Sequence, residues 1–432
     1  MVLELYNKIK SNSFFKGVLI IAGGSALSQV ISVLFAPIIT RIYSPEDFGI
    51  LTAFMAVVTV IGSVATLRYS VAIPIAKDTK EANSLLSLSF LVVIALTLIL
   101  IVISYFFGSK ILHKASSSQL LPFIYLIPLA FFFKGIYVSL NNWALRNKYF
   151  KRITSTRITQ TTTGVGIKIA LGLLNFKPIG LLLGSIFQEA AGISNLFIKL
   201  VKDEPKFFKK CSWSDIIKTA KRFKKFPLYQ TWSQLLLSFG GQIPVLFIGW
   251  MYGAKELGLF GLANSMINIP MNLISSSVSQ VYYAEIGKIG KDNPTKIYKL
   301  SLSIVKKLFW IGIIPVGVLI AFGPYIFSLV FGFEWREAGV YAQIISMLIL
   351  FRLVSGSILS TLNVLELQRK QFLINALRII SIAVIFLTCK YIEADIYSTI
   401  FSYVIFLSLF RFFLIIHIFS LLKKRVADCS VK

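Results

Sequence analysis

The stretch Thr156–Leu200, TRITQTTTGVGIKIALGLLNFKPIGLLLGSIFQEAAGISNLFIKL, decides the fold class. It consists of two apolar runs joined by the short segment Asn175-Phe176-Lys177-Pro178. Each run is long enough to cross a bilayer as a helix, which takes ~20 residues. Yet Lys168 lies inside the first run and Glu189 inside the second. A charge at that depth costs ~2.5–3.5 kcal/mol on insertion scales, so such residues usually face a bundle interior or a wet pathway.

The polar residues of the first run share one helical face. Arg157, Thr161, Gly164 and Lys168 follow one another at steps of four, three and four residues, which places them on one side of an α-helix. This pattern predicts that the face lines a polar interior.

The composition indicates a membrane protein. The chain has 432 residues, 56% of them hydrophobic, whereas soluble domains are ~45–50% apolar. Its net charge of +27 would suggest nucleic-acid binding in a soluble protein. Basic residues also collect in the cytoplasmic loops of membrane proteins, and no base-stacking motif is present, so we expect no nucleic-acid partner. Cys211, Cys389 and Cys429 are scattered, which predicts neither a disulfide framework nor a metal site.

Apolar runs recur along the whole chain and predict an all-α polytopic membrane protein of about 12 transmembrane helices. The predicted spans are 14–40, 48–68, 84–107, 119–143, 155–174, 178–199, 227–250, 256–284, 303–331, 338–364, 371–391 and 396–421. We therefore divide the chain into an N-terminal six-helix lobe (1–200), a cytoplasmic amphipathic linker (201–226) and a C-terminal six-helix lobe (227–432). The first run is too long for the apolar region of a signal peptide and predicts a retained span.

Lysine and arginine are distributed unequally between the two sides of these spans. The large majority fall on the side of the N-terminal segment and of the basic loop 199–225. The opposite side holds Arg41, Lys110, Lys114, Lys177, Lys255, Arg336 and Lys390. Because basic loops stay in the cytoplasm, this distribution predicts that both termini are cytoplasmic.

Basic residues also occur inside the predicted spans, where Glu189 is the one mid-span acid. We predict that a cationic lumen is formed by Lys134, Arg157, Lys168, Arg352, Arg378 and Arg411. An unpaired positive interior is explained by an anionic ligand that passes through. The alternatives are that some of these residues bind backbone carbonyls of broken helices, and that Arg378 reaches the interface with its long side chain. Glu189 is interpreted either as an ion-coupling residue or as a fixed partner of Lys168 or Arg157.

Uncharged polar residues complete the predicted lumen. They are Gln160, Gln188, Gln242, Asn264 and Asn268. Hydrogen bonding between helices is an alternative role for them. Prolines flanked by polar residues are expected to interrupt several spans, at Pro37, Pro128, Pro244, Pro270 and Pro315.

The linker contains a predicted surface helix. Ser212 and Asp215 fit a capping box. In the helix that follows, apolar residues lie along one side and basic residues along the opposite side. This arrangement indicates an interfacial helix lying on anionic headgroups.

The two lobes also repeat a short pattern. Tyr43 precedes Gly49 by six residues, and Tyr252 precedes Gly258 by six, each between one span and the next. Six spans per lobe predict that both lobes insert in the same orientation, with the pathway between them.

Several segments of the chain resemble the Wzx-type polysaccharide flippases of the multidrug/oligosaccharidyl-lipid/polysaccharide exporter (MOP) superfamily. They are Arg41–Gly49 (RIYSPEDFG), Leu67–Ile73 (LRYSVAI), Asn141–Arg152 (NNWALRNKYFKR), Phe226–Tyr229 (FPLY), Gln242–Pro244 (QIP) and Gly258–Asn264 (GLFGLAN). The resemblance implies two six-helix lobes arranged as a V around a central cationic cavity. It also implies a protein of the bacterial inner membrane, whose substrate is an oligosaccharide on polyprenyl pyrophosphate that is moved to the periplasmic or outer leaflet.

The resemblance further implies coupling to an ion gradient, of protons or sodium, and no bound cofactor. We expect the protein to act as a monomer and to meet the polysaccharide polymerase and chain-length machinery. The alternative is a multidrug or small-metabolite antiporter of the same superfamily, although cationic drugs would favour acids in the lumen. An enzyme is not expected, because the sequence shows no nucleophile–base set, phosphate loop or metal-ligand spacing.

Overall fold

The structure, a computed structural model, describes residues 13–114, 118–204, 212–290, 293–365 and 367–430, and these residues form helices joined by short connections. The α-helices are α1 (Ser13–Ile42), α2 (Pro45–Gly62), α3 (Tyr69–Ala72), α4 (Thr79–Lys114), α5 (Leu126–Arg146), α6 (Phe150–Leu173), α7 (Ile179–Asp203), α8 (Trp213–Arg222), α9 (Thr231–Ile289), α10 (Pro294–Phe331), α11 (Arg336–Ile358), α12 (Thr361–Val364), α13 (Gln368–Tyr391) and α14 (Ile396–Ser430). The predicted all-α polytopic class is confirmed.

Nine helical segments of the described chain are long and apolar enough to cross a membrane. The segment Phe226–Gly287 covers two predicted spans, because α9 contains a break at Gly253. The predicted fourth and fifth spans correspond to α5 and α6. These two helices are less apolar than the nine segments, and they carry the charged residues Lys134, Arg157 and Lys168. Each of the twelve predicted spans thus has a helix.

The expected interruptions at proline are wrong in most cases. Pro37 lies inside α1 and Pro315 inside α10, and α9 continues through Pro244 and Pro270. The one non-helical residue within α9 is Gly253, with φ +84°. Glycine adopts positive φ without steric cost, and this residue lies in the predicted connection between the seventh span (227–250) and the eighth (256–284).

The chain divides into two compact units, Met1–Lys255 and Glu256–Lys432. The first unit therefore includes residues 227–255, which the sequence prediction places in the C-terminal lobe. Our division into lobes 1–200 and 227–432 with a linker at 201–226 remains a prediction. Residues 205–211 of that linker, with Cys211, lie outside the described residues.

In the first unit, α6 packs closely along α7 and along α1. The Tyr43 side chain, 1% exposed, donates a hydrogen bond of 2.7 Å to the backbone carbonyl of Lys168. Tyr43 belongs to a buried cluster with Ile39 and Leu181. The connection after α1 is thereby tied to the middle of α6, where the charged face lies.

In the second unit, α10 packs along α11, and α11 along α14. Tyr282 is 1% exposed and lies in a buried apolar cluster with Ile358 and Ile418. Its hydroxyl hydrogen-bonds with Ser301 at 2.7 Å and with Thr361 at 2.6 Å. Three helical segments are joined at this point in the core.

The predicted surface helix is present as α8, but its predicted capping box is not formed. Ser212 is the N-cap residue, yet its side chain makes no capping hydrogen bond. The carboxylate of Asp215 instead pairs with Lys80 at 2.9 Å. A complete capping box occurs at Ser44 and Asp47, at the start of α2.

Candidate functional site

Polar side chains from three helices come together inside the first unit. Lys134 on α5 and Glu189 on α7 attract each other electrostatically without a direct ion pair. Tyr137, one turn further along α5, interacts with the charges of Arg157 and Glu189 and hydrogen-bonds with Gln160 on α6. We call these five residues the Glu189 cluster. The described attraction of Glu189 is to Lys134, and its role as an ion-coupling residue or as a fixed partner of Lys168 or Arg157 remains a prediction.

Small residues on α7 make room for the cluster and its neighbours. A methyl group on Gly192 would lie 2.8 Å from the Tyr137 ring, and a methyl group on Gly184 would overlap the alkyl chain of Lys168. Close approach of helices at small residues is common in membrane proteins. The absence of these side chains lets Tyr137 and Lys168 lie against the α7 backbone.

Lys168 differs from Lys134 in its surroundings. Its side chain is half-buried and passes over Gly184. Among the residues that the structure describes, none forms a hydrogen bond or ion pair with its ammonium group. Gln188 lies nearby, with its amide oxygen close to Gly164 on the same face of α6. Lys168 is therefore an inward-placed cation without a described counterion.

Arg157 is anchored to α1. Its guanidinium donates a short hydrogen bond to the hydroxyl of Ser25. The neighbouring Thr154 hydroxyl donates to the backbone carbonyl of Ile20 at 2.8 Å. These two contacts hold the start of α6 against α1 and fix the position of the Arg157 charge.

Three arginines from three helices converge in the second unit. The charges of Arg352 (α11), Arg378 (α13) and Arg411 (α14) repel one another. The charges of all three arginines also interact with the phenol group of Tyr403 on α14. We call these four residues the arginine cluster. Arg352 is exposed, whereas Arg378 and Arg411 are half-buried.

The arginine cluster is held by neutral groups. Arg352 donates to the side-chain oxygen of Asn268 at 2.7 Å, and Asn268 in turn donates to the side-chain oxygen of Asn264 at 2.6 Å. Arg411 donates to the hydroxyl of Ser355 at 2.9 Å. Its Nε atom is buried and has no hydrogen-bond partner among the residues that the structure describes. The predicted polar residues Asn264 and Asn268 thus orient a predicted cation.

A small cavity adjoins the cluster. Its volume is ≈30 Å³, and Ser355, Gln371, Asn375, Arg378 and Arg411 are among its lining residues. An isolated guanidinium repelled by two others is costly in a low-dielectric interior, since like charges raise each other's energy. An anion placed there would relieve that repulsion and accept the free Nε–H of Arg411.

The structure adds residues that the sequence interpretation missed. Tyr137 on α5 and Tyr403 on α14 carry no sequence pattern of their own. Gln371, Asn375 and Arg378 follow at steps of four and three, so their shared face was detectable. Gln242, a predicted lumen residue, is half-buried in α9, and no described contact joins it to either cluster.

Solved structures of transporters share this fold. An inward-facing multidrug resistance MATE family transporter of the MOP superfamily matches with a TM-score of 0.72 and 13% identity, covering 95% of this chain and 96% of that one. An outward-facing structure of such a transporter matches with a TM-score of 0.61 and 13% identity, covering 98% and 97%. At this identity the likeness shows the fold alone, and the chain shares that fold with these structures over nearly its whole length.

The family follows from the sequence. The sequence model of the family described as polysaccharide biosynthesis protein matches residues 38–340, well over half of the chain, so the chain belongs to that family. The teichuronic acid biosynthesis protein TuaB of Bacillus subtilis (strain 168) is 26% identical over 142 residues, which are 32% of this chain and 29% of the relative. The resemblance is confirmed for the family, which is one of polysaccharide biosynthesis, and for the fold, which is that of the MATE structures.

Proposed function

We propose that the protein is a flippase for polyprenyl-pyrophosphate-linked oligosaccharides. It moves them from the cytoplasmic to the periplasmic or outer leaflet of the cell membrane by alternating access. The family supports a role in polysaccharide biosynthesis, and the named relative acts in teichuronic acid biosynthesis. The observation that carries the proposal is the arginine cluster: among the described residues Arg352 and Arg411 hydrogen-bond with neutral groups, and no carboxylate pairs with any of the three arginines.

The chemistry of the cargo fits this arrangement. A sugar–pyrophosphate head cannot cross lipid unaided, because its hydroxyls and charges would lose their water. At an effective dielectric constant of ~20, one cation 4 Å from a unit anion contributes about 4 kcal/mol. Arg378 and Arg411 would bind the diphosphate, together with Arg352, and Lys134, Arg157 and Lys168 would serve the same chemistry in the first unit.

Glu189 is the proposed coupling residue. It is the acid of the Glu189 cluster and has the charge of Lys134 beside it. Protonation of the carboxyl from a proton gradient would free Lys134 from that attraction and leave it available to the anionic cargo. Sodium is the alternative driving ion. We propose an inner-membrane location with both termini cytoplasmic, from the basic loops, and action as a monomer beside the polymerase and chain-length machinery.

The test is deletion of the gene followed by mass spectrometry of polyprenyl-linked glycans. The proposal predicts that a complete lipid-linked oligosaccharide accumulates in the cytoplasmic leaflet and that the surface polysaccharide is lost. Re-expression of the protein restores both. Unchanged lipid-linked glycan together with altered drug susceptibility would instead support the multidrug antiporter.

A further inference from the structure

Helix α8 is attached to the first unit along one side. Ile216 and Thr219 are 7% exposed, and Phe223, just after the helix, is 8% exposed and packs in the core cluster of Tyr69. The hydroxyl of Tyr69 donates to the backbone carbonyl of Ala220 at 3.5 Å. This side of the helix belongs to the protein interior.

The acids around α8 are paired within the protein. Asp215 pairs with Lys80, and Glu81 pairs with Arg222, so two ion pairs join α8 to the first turn of α4. Glu81 also accepts a hydrogen bond of 2.8 Å from the backbone of Lys77. Asp215 is the one acid of α8, and it is held in an ion pair.

The outer side combines basic and apolar side chains. Trp213 is 65% exposed and Ile217 is 41% exposed, and Lys218 and Lys221 are exposed as well. Trp213, Ile217 and Lys221 follow at steps of four, and Lys218 lies beside them on the helix surface. We call these four residues the α8 outer face.

The membrane surface lies close to this face. Helix α8 ends at Arg222, and the apolar segment that includes α9 begins at Phe226. On the other side, the two ion pairs attach α8 to the start of the apolar helix α4. Tyr229 and Trp232, at the start of the next span, are exposed too. Aromatic residues with flanking lysines are typical of the lipid interface.

We propose that the α8 outer face is a docking surface for anionic phospholipid headgroups. The lysines meet the phosphates, and Trp213 and Ile217 enter the headgroup–acyl boundary. An acidic protein would complement the charge of the lysines but would not explain why Trp213 and Ile217 are exposed beside them. The two ion pairs to α4 would transmit the lipid contact to the helix that follows the second span.

The test compares melting temperatures of the full-length protein in nanodiscs of phosphatidylcholine and of phosphatidylcholine with phosphatidylglycerol. We expect the wild type to melt at a higher temperature in the anionic discs. Lys218→Gln combined with Lys221→Gln should lose most of that gain. The matched control, Lys423→Gln with Lys424→Gln on α14, removes the same charge from other exposed positions and should keep the gain.

Two further measurements keep the test decisive. Trp213→Ala leaves every lysine in place and should also reduce the gain, so the proposal remains testable if the lysine variant does not fold. Soluble poly-glutamate added to phosphatidylcholine discs should give no stabilisation. The proposal would be overturned if both α8 variants kept the full rise in melting temperature in anionic discs. It would also be overturned, in favour of an acidic protein partner, if poly-glutamate stabilised the wild type but not the lysine variant.

Discussion

Arg411 donates a hydrogen bond of 2.9 Å to the hydroxyl of Ser355, across the contact between α14 and α11. Ser355 is 1% exposed and carries no charge. The bond therefore fixes the direction of the guanidinium without neutralising it. With Arg352 and Arg378 close by, the second unit keeps a concentrated positive charge that is oriented but not compensated by the described residues. This is the feature expected of a site that accepts an anion and releases it again.

Gly184→Ala tests whether the placement of Lys168 matters. The added methyl group would overlap the Lys168 alkyl chain and lie 2.9 Å from the backbone carbonyl of Gly164. Overpacking costs about 1–3 kcal/mol, and we expect it to displace Lys168 and to reduce glycan export. Export and the melting temperature are measured together. Gly166→Ala, where no atom lies within 4 Å of the added methyl group, is the control and should behave as wild type. Normal export in Gly184→Ala would remove Lys168 from the site.

Glu189→Gln tests the coupling role. The amide keeps the size of the side chain but cannot exchange a proton near neutral pH. We expect transport of the lipid-linked glycan to become independent of an imposed proton gradient. Glu204→Gln, at the end of α7 and outside the Glu189 cluster, should retain the wild-type dependence. A Glu189→Gln protein that still accelerates fully with the gradient would exclude Glu189 from coupling.

Tyr282→Phe tests the core of the second unit. The substitution removes the phenol that bonds with Ser301 and Thr361 and leaves two buried hydroxyls short of a partner. A buried group without its hydrogen bond costs about 1–3 kcal/mol, so the melting temperature should fall. Tyr283→Phe next to it removes the hydroxyl of a residue that is 51% exposed and should have little effect. Equal melting temperatures for the two variants would contradict the described packing.

Tyr149, in the connection between α5 and α6, is expected to make the stability of the protein depend on pH in the alkaline range. The hydrogen bond from the Tyr149 hydroxyl to Asp203 raises the pKa of Tyr149 to about 12, with partial burial acting in the same direction. Since the folded-state pKa lies above the unfolded value of ~10, this contribution is complete below pH ~10 and is lost as the pH rises towards ~12. The wild type should therefore lose more stability than Tyr149→Phe over that interval. Parallel pH profiles of the melting temperature would show that the bond has no such role.

The sequence was sufficient to predict the helices and which of them carry interior charge. The steps between Arg157, Thr161, Gly164 and Lys168 define a face of α6, and in the structure that face meets α7 and α1. Periodicity describes one helix at a time, however. It could not show that Lys134 of α5 faces Glu189, because that depends on how the two helices are rotated and offset when they pack.

Competition between distant partners explains other differences. Asp215 was predicted to cap its own helix, but Lys80, far away in the sequence, provides an opposite charge at 2.9 Å. The convergence of Arg352, Arg378 and Arg411 likewise depends on the packing of three helices. The prolines are expected to break spans, but neighbouring helices or hydroxyl side chains can satisfy the backbone groups that a proline frees in a membrane helix, and these helices continue past Pro37, Pro244, Pro270 and Pro315.

The most direct test of the central claim is the rate at which purified protein in proteoliposomes moves a polyprenyl-diphosphate-linked oligosaccharide across the bilayer. The comparison is between the wild type, Arg378→Gln with Arg411→Gln, and the control Lys423→Gln with Lys424→Gln. A tenfold change in rate corresponds to about 1.4 kcal/mol, and the attraction between one cation and an anion at close range is larger than that. The arginine variant should therefore transport more than about tenfold more slowly. The control should match the wild type. A wild-type rate in a folded arginine variant would contradict the account.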